Sequence, residues 1–110
     1  MNYDKIAALL GFAANARGIV FGEAGCADAL RSQKAKFLLI QGGTSPQTIE
    51  KMKYMADKKG VPVYILEYDR LGRAIGRETV RMIAVTSELF AGPIQKEIQS
   101  NSAREQGGTA

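Results

Sequence analysis

The stretch KFLLIQGGTSPQTIEKM, residues 36–52, decides the fold. Phe37-Leu38-Leu39-Ile40 is continuously apolar, the pattern of a strand covered on both faces. Gly42-Gly43-Thr44 follows as a turn. Ser45 can accept hydrogen bonds from the free amides of a helix start, and Pro46 takes the first helical position, where its missing N–H costs nothing. That helix runs to about Lys59, turns Ile49, Met52 and Ala56 inward, and is closed by Gly60. A doubly covered strand followed at once by an amphipathic helix is the repeating unit of an α/β sheet.

The alternation holds on both sides. Upstream, residues 3–14 carry Ile6, Leu9, Leu10 and Ala13 at helical spacing and end around Arg17-Gly18. Residues 19–21 read as a short strand and 23–32 as a second helix. Downstream, residues 61–66 form a strand that admits Pro62 only at its start. Asp69 or a neighbour opens a short helix with Leu71, Ala74 and Ile75 on its apolar face, stopped by Gly76. Residues 82–85 are the last strand, and Thr86 or Ser87 caps a closing helix through Phe90, Ile94 and Ile98, which Gly92-Pro93 should break or kink. From Gln99 the chain has no apolar residue larger than alanine and reads as a disordered tail. The expectation is a three-layer αβα sandwich around a small mixed four-stranded sheet. It forms one domain over residues 1–98, with a tail at 99–110.

Composition narrows the chemistry. The chain has 110 residues, 15 Lys and Arg against 11 Asp and Glu, and a net charge of +4, a mild excess that suits a polyanion. It contains no histidine, which excludes Ser-His and Cys-His nucleophile pairs and histidine metal sites. The single Cys26 excludes an internal disulfide, suits a reducing cytoplasm, and in its small apolar run reads as a packing residue. Lys5 before IAALLGFAA could pass for a secretory leader, but Asp4 cancels it and the helical spacing favours an amphipathic first helix. No segment approaches the length of a membrane span.

Three loops should gather at one end of the sheet, because strands running in the same direction place their exits on one edge. One leads into GEAG at residues 22–25, where the helix start has no capping side chain. The second is QGGTS at residues 41–45, whose glycines could let amides approach a phosphate. The third is GRETVR at residues 76–81, and sheet order decides whether it joins the others. Arg70, Arg73 and Arg77 would share one face of a continuous helix, with Arg81 just beyond. No pair of groups with opposed protonation tasks is visible, so no catalytic set is assigned.

The segments LLGFAANARGIVFGE, ALRSQKAKFLLI, KKGVPVYIL, LGRAIGRE and IAVTSELFA stand in order over most of residues 6–91. Through them the chain resembles the L-seven-Ae/L-thirty-e ribosomal protein superfamily, and within it the bacterial YlxQ-like branch. The resemblance implies an αβα sandwich that binds kink-turn and related RNA. The family grips RNA with the glycine-led start of the second helix, the loop before the third helix and the loop after the LGxAxG helix. On this chain those places correspond to Gly22, Glu23 and Gly25, to Gly42, Gly43 and Thr44, and to Arg73, Arg77, Thr79, Val80 and Arg81. The family commonly carries Asn-Glu two residues after the glycine and a lysine one turn on. Here those positions hold Ala24, Gly25 and Asp28: Ala24 and Gly25 leave the amides behind Gly22 bare for a phosphate but give bases no side chain to read, and Asp28 would repel a nearby phosphate.

The expected function is therefore non-enzymatic binding of structured RNA, kink-turn-like or ribosomal, within a cytoplasmic ribonucleoprotein. No metal, organic cofactor or membrane is implied, and a monomer is favoured. Two other functions fit the same residues. One is a protein-interaction module that kept the fold and lost the RNA grip. The other is a small enzyme using GEAG and GGTS as nucleotide phosphate loops, which would lack a catalytic base.

Overall fold

The computed structural model describes residues 2–107. Its elements are α1 (Tyr3–Asn15), β1 (Ile19–Phe21), α2 (Gly22–Arg31), β2 (Phe37–Gln41), α3 (Pro46–Lys58) and β3 (Val63–Leu66), then a 3-10 turn (Gly72–Ile75), β4 (Met82–Val85) and α4 (Glu88–Gly107). The sheet order is β1-β4-β2-β3. β4 is antiparallel to both β1 and β2, while β3 is parallel to β2. It follows that β1, β2 and β3 all point one way and β4 returns against them.

The apolar run in β2 serves two cores. Phe37 and Leu39 join Ile6, Leu10, Ile83, Ile94 and Ile98 on the α1/α4 side. Leu38 and Ile40 join Cys26, Leu30, Met52 and Ala84 on the α2/α3 side. All four residues of the apolar run are fully buried, because successive side chains of a central strand enter opposite layers. This is the expected three-layer sandwich with a mixed four-stranded sheet. Ile49, expected in the core, is only half-buried at its margin.

Several local expectations are corrected. β3 starts at Val63, not at residue 61, since Pro62 has no N–H and contributes only its carbonyl, which accepts from the Leu38 amide at 2.9 Å. The short fourth helix is one 3-10 turn of four residues, too short to align Arg70 and Arg77. α4 continues through Pro93, an early position where Ala91, Ile94 and Ile98 hold the helix on the sheet. The same helix runs on over residues 99–107, and residues 108–110 of the expected tail lie outside the described residues.

The end of α1 departs from the glycine rule. Arg17, not Gly18, takes the left-handed conformation at φ 59°. Arg17 and Gly18 then donate to the carbonyls of Ala14 and Ala13 at 3.1 and 2.7 Å. Gly18 is needed for another reason. A Cβ there would lie 2.8 Å from the Cβ of Ser87, the residue before α4, and 3.4 Å from the Phe90 ring, so it is the close approach of the segment entering α4 that demands glycine.

Candidate nucleic-acid interface

Strand direction assembles the site. The exits of β1, β2 and β3 lie at one edge, and so does the entry to β4. In the register, Phe21 pairs with Ile83 and Ile40 with Met82, so the loop before β4 reaches the edge between the other two exits. The Gln41 amide donates to the Arg81 carbonyl at 2.8 Å, and the Gly42 amide to the Leu66 carbonyl at 2.7 Å. The three loops picked out from the sequence therefore meet.

At the first of them, Gly22 turns the chain from strand to helix with φ 80°, a conformation that favours glycine. Phe21 precedes it in extended conformation, and no side chain caps α2. The first-turn amides are thus left to solvent or a ligand. Glu23 is paired with α3, its Oε2 3.2 Å from Lys51 Nζ. Asp28 is likewise engaged, accepting from Arg31 at 2.8 Å. Gly25 lies a turn inside the helix, and its missing Cβ would touch Val20 at 3.8 Å. It faces β1 rather than the helix tip.

At the second loop, Thr44 folds back on Gln41, its hydroxyl donating to the Gln41 carbonyl at 2.7 Å. Gly43 has φ 90° and open space where a side chain would stand. Gly42 is different. A Cβ there would meet Glu67 Oε2 and the Leu66 carbonyl, each at 3.0 Å. The Glu67 carboxylate beside Gly42 opposes an anion at that point, whereas Gly43 remains approachable. Gln41 was not singled out from the sequence, yet its Oε1 also accepts from the Leu71 amide at 3.3 Å. The only signal for it was a polar residue closing an apolar strand.

The third loop is folded down onto Gly72. A Cβ at Gly72 would collide with the Arg77 carbonyl oxygen and lie 2.5 Å from that of Val80. This explains the first glycine of LGRAIG, while Gly76 supplies the left-handed cap at φ 76°. The arginines do not share one face. Arg73 pairs with Glu78 at 3.4 Å and Arg70 with Asp69 at 3.8 Å, and together these four line a shallow pocket. Such exposed pairs are weak, and a phosphate can compete for them. Arg77 goes the other way, its guanidinium 4.8 Å from the centre of the Phe21 ring. Among the described residues Arg77 and Arg81 form no ion pair, and both are exposed. Thr79 is exposed, while Val80 is half-buried against the core.

Cys26 is fully buried, and burial pushes its thiol up to about 12, so a thiolate nucleophile is out of reach near neutrality. Among the described residues no three His, Cys, Asp or Glu side chains come together to hold a metal ion. No described helix is long and apolar enough to cross a membrane.

The model of the ribosomal protein L7Ae/L30e/S12e/Gadd45 family matches residues 4–91, and the chain belongs to that family. Over 87 residues it is 34% identical to the RNA-binding protein YlxQ of Bacillus subtilis (strain 168), covering 78% of this chain and 87% of that one. A solved structure of a protein with unknown function from Bacillus halodurans superposes with a TM-score of 0.81 at 26% identity, covering 86% of this chain and 97% of the other. The Giardia lamblia 15.5kD RNA binding protein has the same fold, with a TM-score of 0.74 at 19% identity over 90% of this chain and 85% of that one. The family recognised from residues 6–91 is thus the family that the comparisons return.

Proposed function

We propose that this chain is a non-enzymatic RNA-binding protein that holds structured RNA, kink-turn-like or ribosomal, on the loops at one end of its sheet. The observation that carries the reading is the meeting of three loops beside two guanidinium groups without carboxylate partners, Arg77 and Arg81. The likeness to the Bacillus subtilis RNA-binding protein YlxQ supports it. The amides of Gly22 and Glu23 and the open backbone at Gly43 and Thr44 receive phosphates through N–H groups. Arg77 and Arg81 add charge-assisted forks, Arg73 joins them when a phosphate displaces Glu78, and Thr79 and Val80 border the bases. Gly42 and Gly25 serve by leaving space rather than by contact. Amides and arginines on phosphates position an RNA without reading its sequence, so shape is what this site selects. The protein acts as a monomer without a cofactor, in the cytoplasm, as part of a ribonucleoprotein.

Titrating a kink-turn RNA and an unpaired control strand against salt tests the reading. Log affinity should fall linearly with log salt, by roughly 0.7 to 0.9 in slope for each phosphate neutralised. Arg77→Ala with Arg81→Ala should lower both affinity and slope while leaving the melting temperature nearly unchanged. A flat salt titration, or a double variant that loses only stability, refutes it.

A further inference from the structure

We propose that a recess beside this interface, between the end of α1, β1 and the 3-10 turn, receives one unpaired nucleobase of the bound RNA, stacked on Phe21. The inference rests on the RNA-binding reading and adds to it residues that reading does not use.

Phe21 ends an edge strand with 38% of its surface exposed, although it is an aromatic side chain one residue from the start of α2. Its ring thus offers part of an aromatic face to a planar ligand beside the α2 start. Its visible neighbour is the Arg77 guanidinium, itself a planar stacking surface. Ring and guanidinium border a recess of about 270 Å³, with Ile19 and Ile75 at its apolar wall and Asn15 and Arg17 at the α1 end. That volume is at the small end of ligand pockets, the size for a single planar group.

The lining defines the ligand. The recess has no carboxylate, unlike other pockets on the surface, which contain Asp69 and Glu78, Glu50 and Asp57, or Asp28. Neither Arg17 nor Arg77 has an ion-pair partner among the described residues. An aromatic face, two guanidinium groups that form no ion pair among the described residues and an amide that both donates and accepts fit a base and its phosphate. A purely apolar side chain would leave both charges unused. The backbone of Arg17 points the same way. Glycine would hold the left-handed conformation at lower cost, and the chain places an arginine there at the mouth of the recess. Since Phe21 adjoins Gly22, a base on this ring is continuous with a strand whose phosphate meets the α2 amides.

The test uses the full chain with a kink-turn RNA and an adenosine 12-mer, each carrying 2-aminopurine at an unpaired position. Stacking on Phe21 should quench the probe several-fold on binding. Phe21→Leu, which keeps an apolar strand residue, should remove the quench and weaken binding roughly tenfold or more. Arg17→Gly should weaken binding several-fold without lowering the melting temperature. If neither RNA binds at low salt, the RNA reading fails and this proposal with it. If RNA binds with the expected salt slope but the probe stays bright and Phe21→Leu binds as wild type, only the recess is refuted. If free AMP occupies the recess as tightly as the strand does, the site is one for mononucleotides and the proposal is again wrong.

Discussion

Replacing Gly72 with alanine should damage stability and RNA binding together. The added Cβ would collide with the Arg77 carbonyl oxygen and stand 2.5 Å and 3.0 Å from the Val80 oxygen and nitrogen. These obstacles are backbone atoms, so no side-chain rotation relieves them. The loop must lift off Gly72, and lifting it opposes the bonds from Arg77 N–H to the Gly72 carbonyl at 2.8 Å and from Val80 N–H to Arg77 at 3.0 Å. Overpacking of this kind costs about 1–3 kcal/mol. One or two lost hydrogen bonds add about 1 kcal/mol each. The stiffer unfolded chain offsets roughly 0.4–1 kcal/mol. A net loss of about 2–4 kcal/mol lowers the melting temperature of a domain this size by roughly 10–20 °C. Urea and thermal unfolding measure the first effect, and an RNA titration below the melting range measures the second. RNA affinity should fall because residues 77–81 no longer sit between β1 and β2. A melting temperature within about 2 °C of wild type would mean that the loop is not packed on Gly72, and the reasoning would be wrong.

Four further outcomes are expected. Gly18→Ala should destabilise by about 1–3 kcal/mol because its Cβ meets Ser87 at 2.8 Å, whereas Arg17→Gly should stabilise by up to about 1 kcal/mol by relieving a left-handed arginine, both read by urea unfolding. Glu67→Gln removes the carboxylate beside Gly42 and should raise RNA affinity about two- to fivefold at low salt, an effect that fades as salt screens it. The Cys26 thiol is raised from 9.0 to about 12, so between those values the unfolded chain has lost its proton while the folded one keeps it. Stability should therefore be unaffected by this group below pH 9 and fall above it by about 1.4 kcal/mol per pH unit, a slope that Cys26→Ala removes in paired denaturation curves.

The sequence alone carried the layers and the family. Phe37-Leu38-Leu39-Ile40 has no polar face, and only a strand with cover on both sides satisfies that, so the sandwich was readable from four residues. Ser45 and Pro46 likewise set the start of α3 by local chemistry: the Ser45 oxygen accepts from the Thr48 amide at 3.2 Å. What the tertiary structure decided was anything set by contact between distant segments. The antiparallel return of β4 brings residues 76–81 to the other two loops, and strand direction leaves no mark in a single strand. Helical spacing put Arg70, Arg73 and Arg77 together, but the turn is four residues long. The loop then folds back on Gly72, sending Arg73 to Glu78 and Arg77 to Phe21. At Arg17-Gly18 the local rule chose the glycine to end α1, yet the segment entering α4 approaches so closely that Gly18 is taken for packing and the left-handed turn falls to Arg17. Local propensities act over a few residues, whereas the return of β4, the Arg77–Phe21 contact and the Gly18–Ser87 approach join segments tens of residues apart.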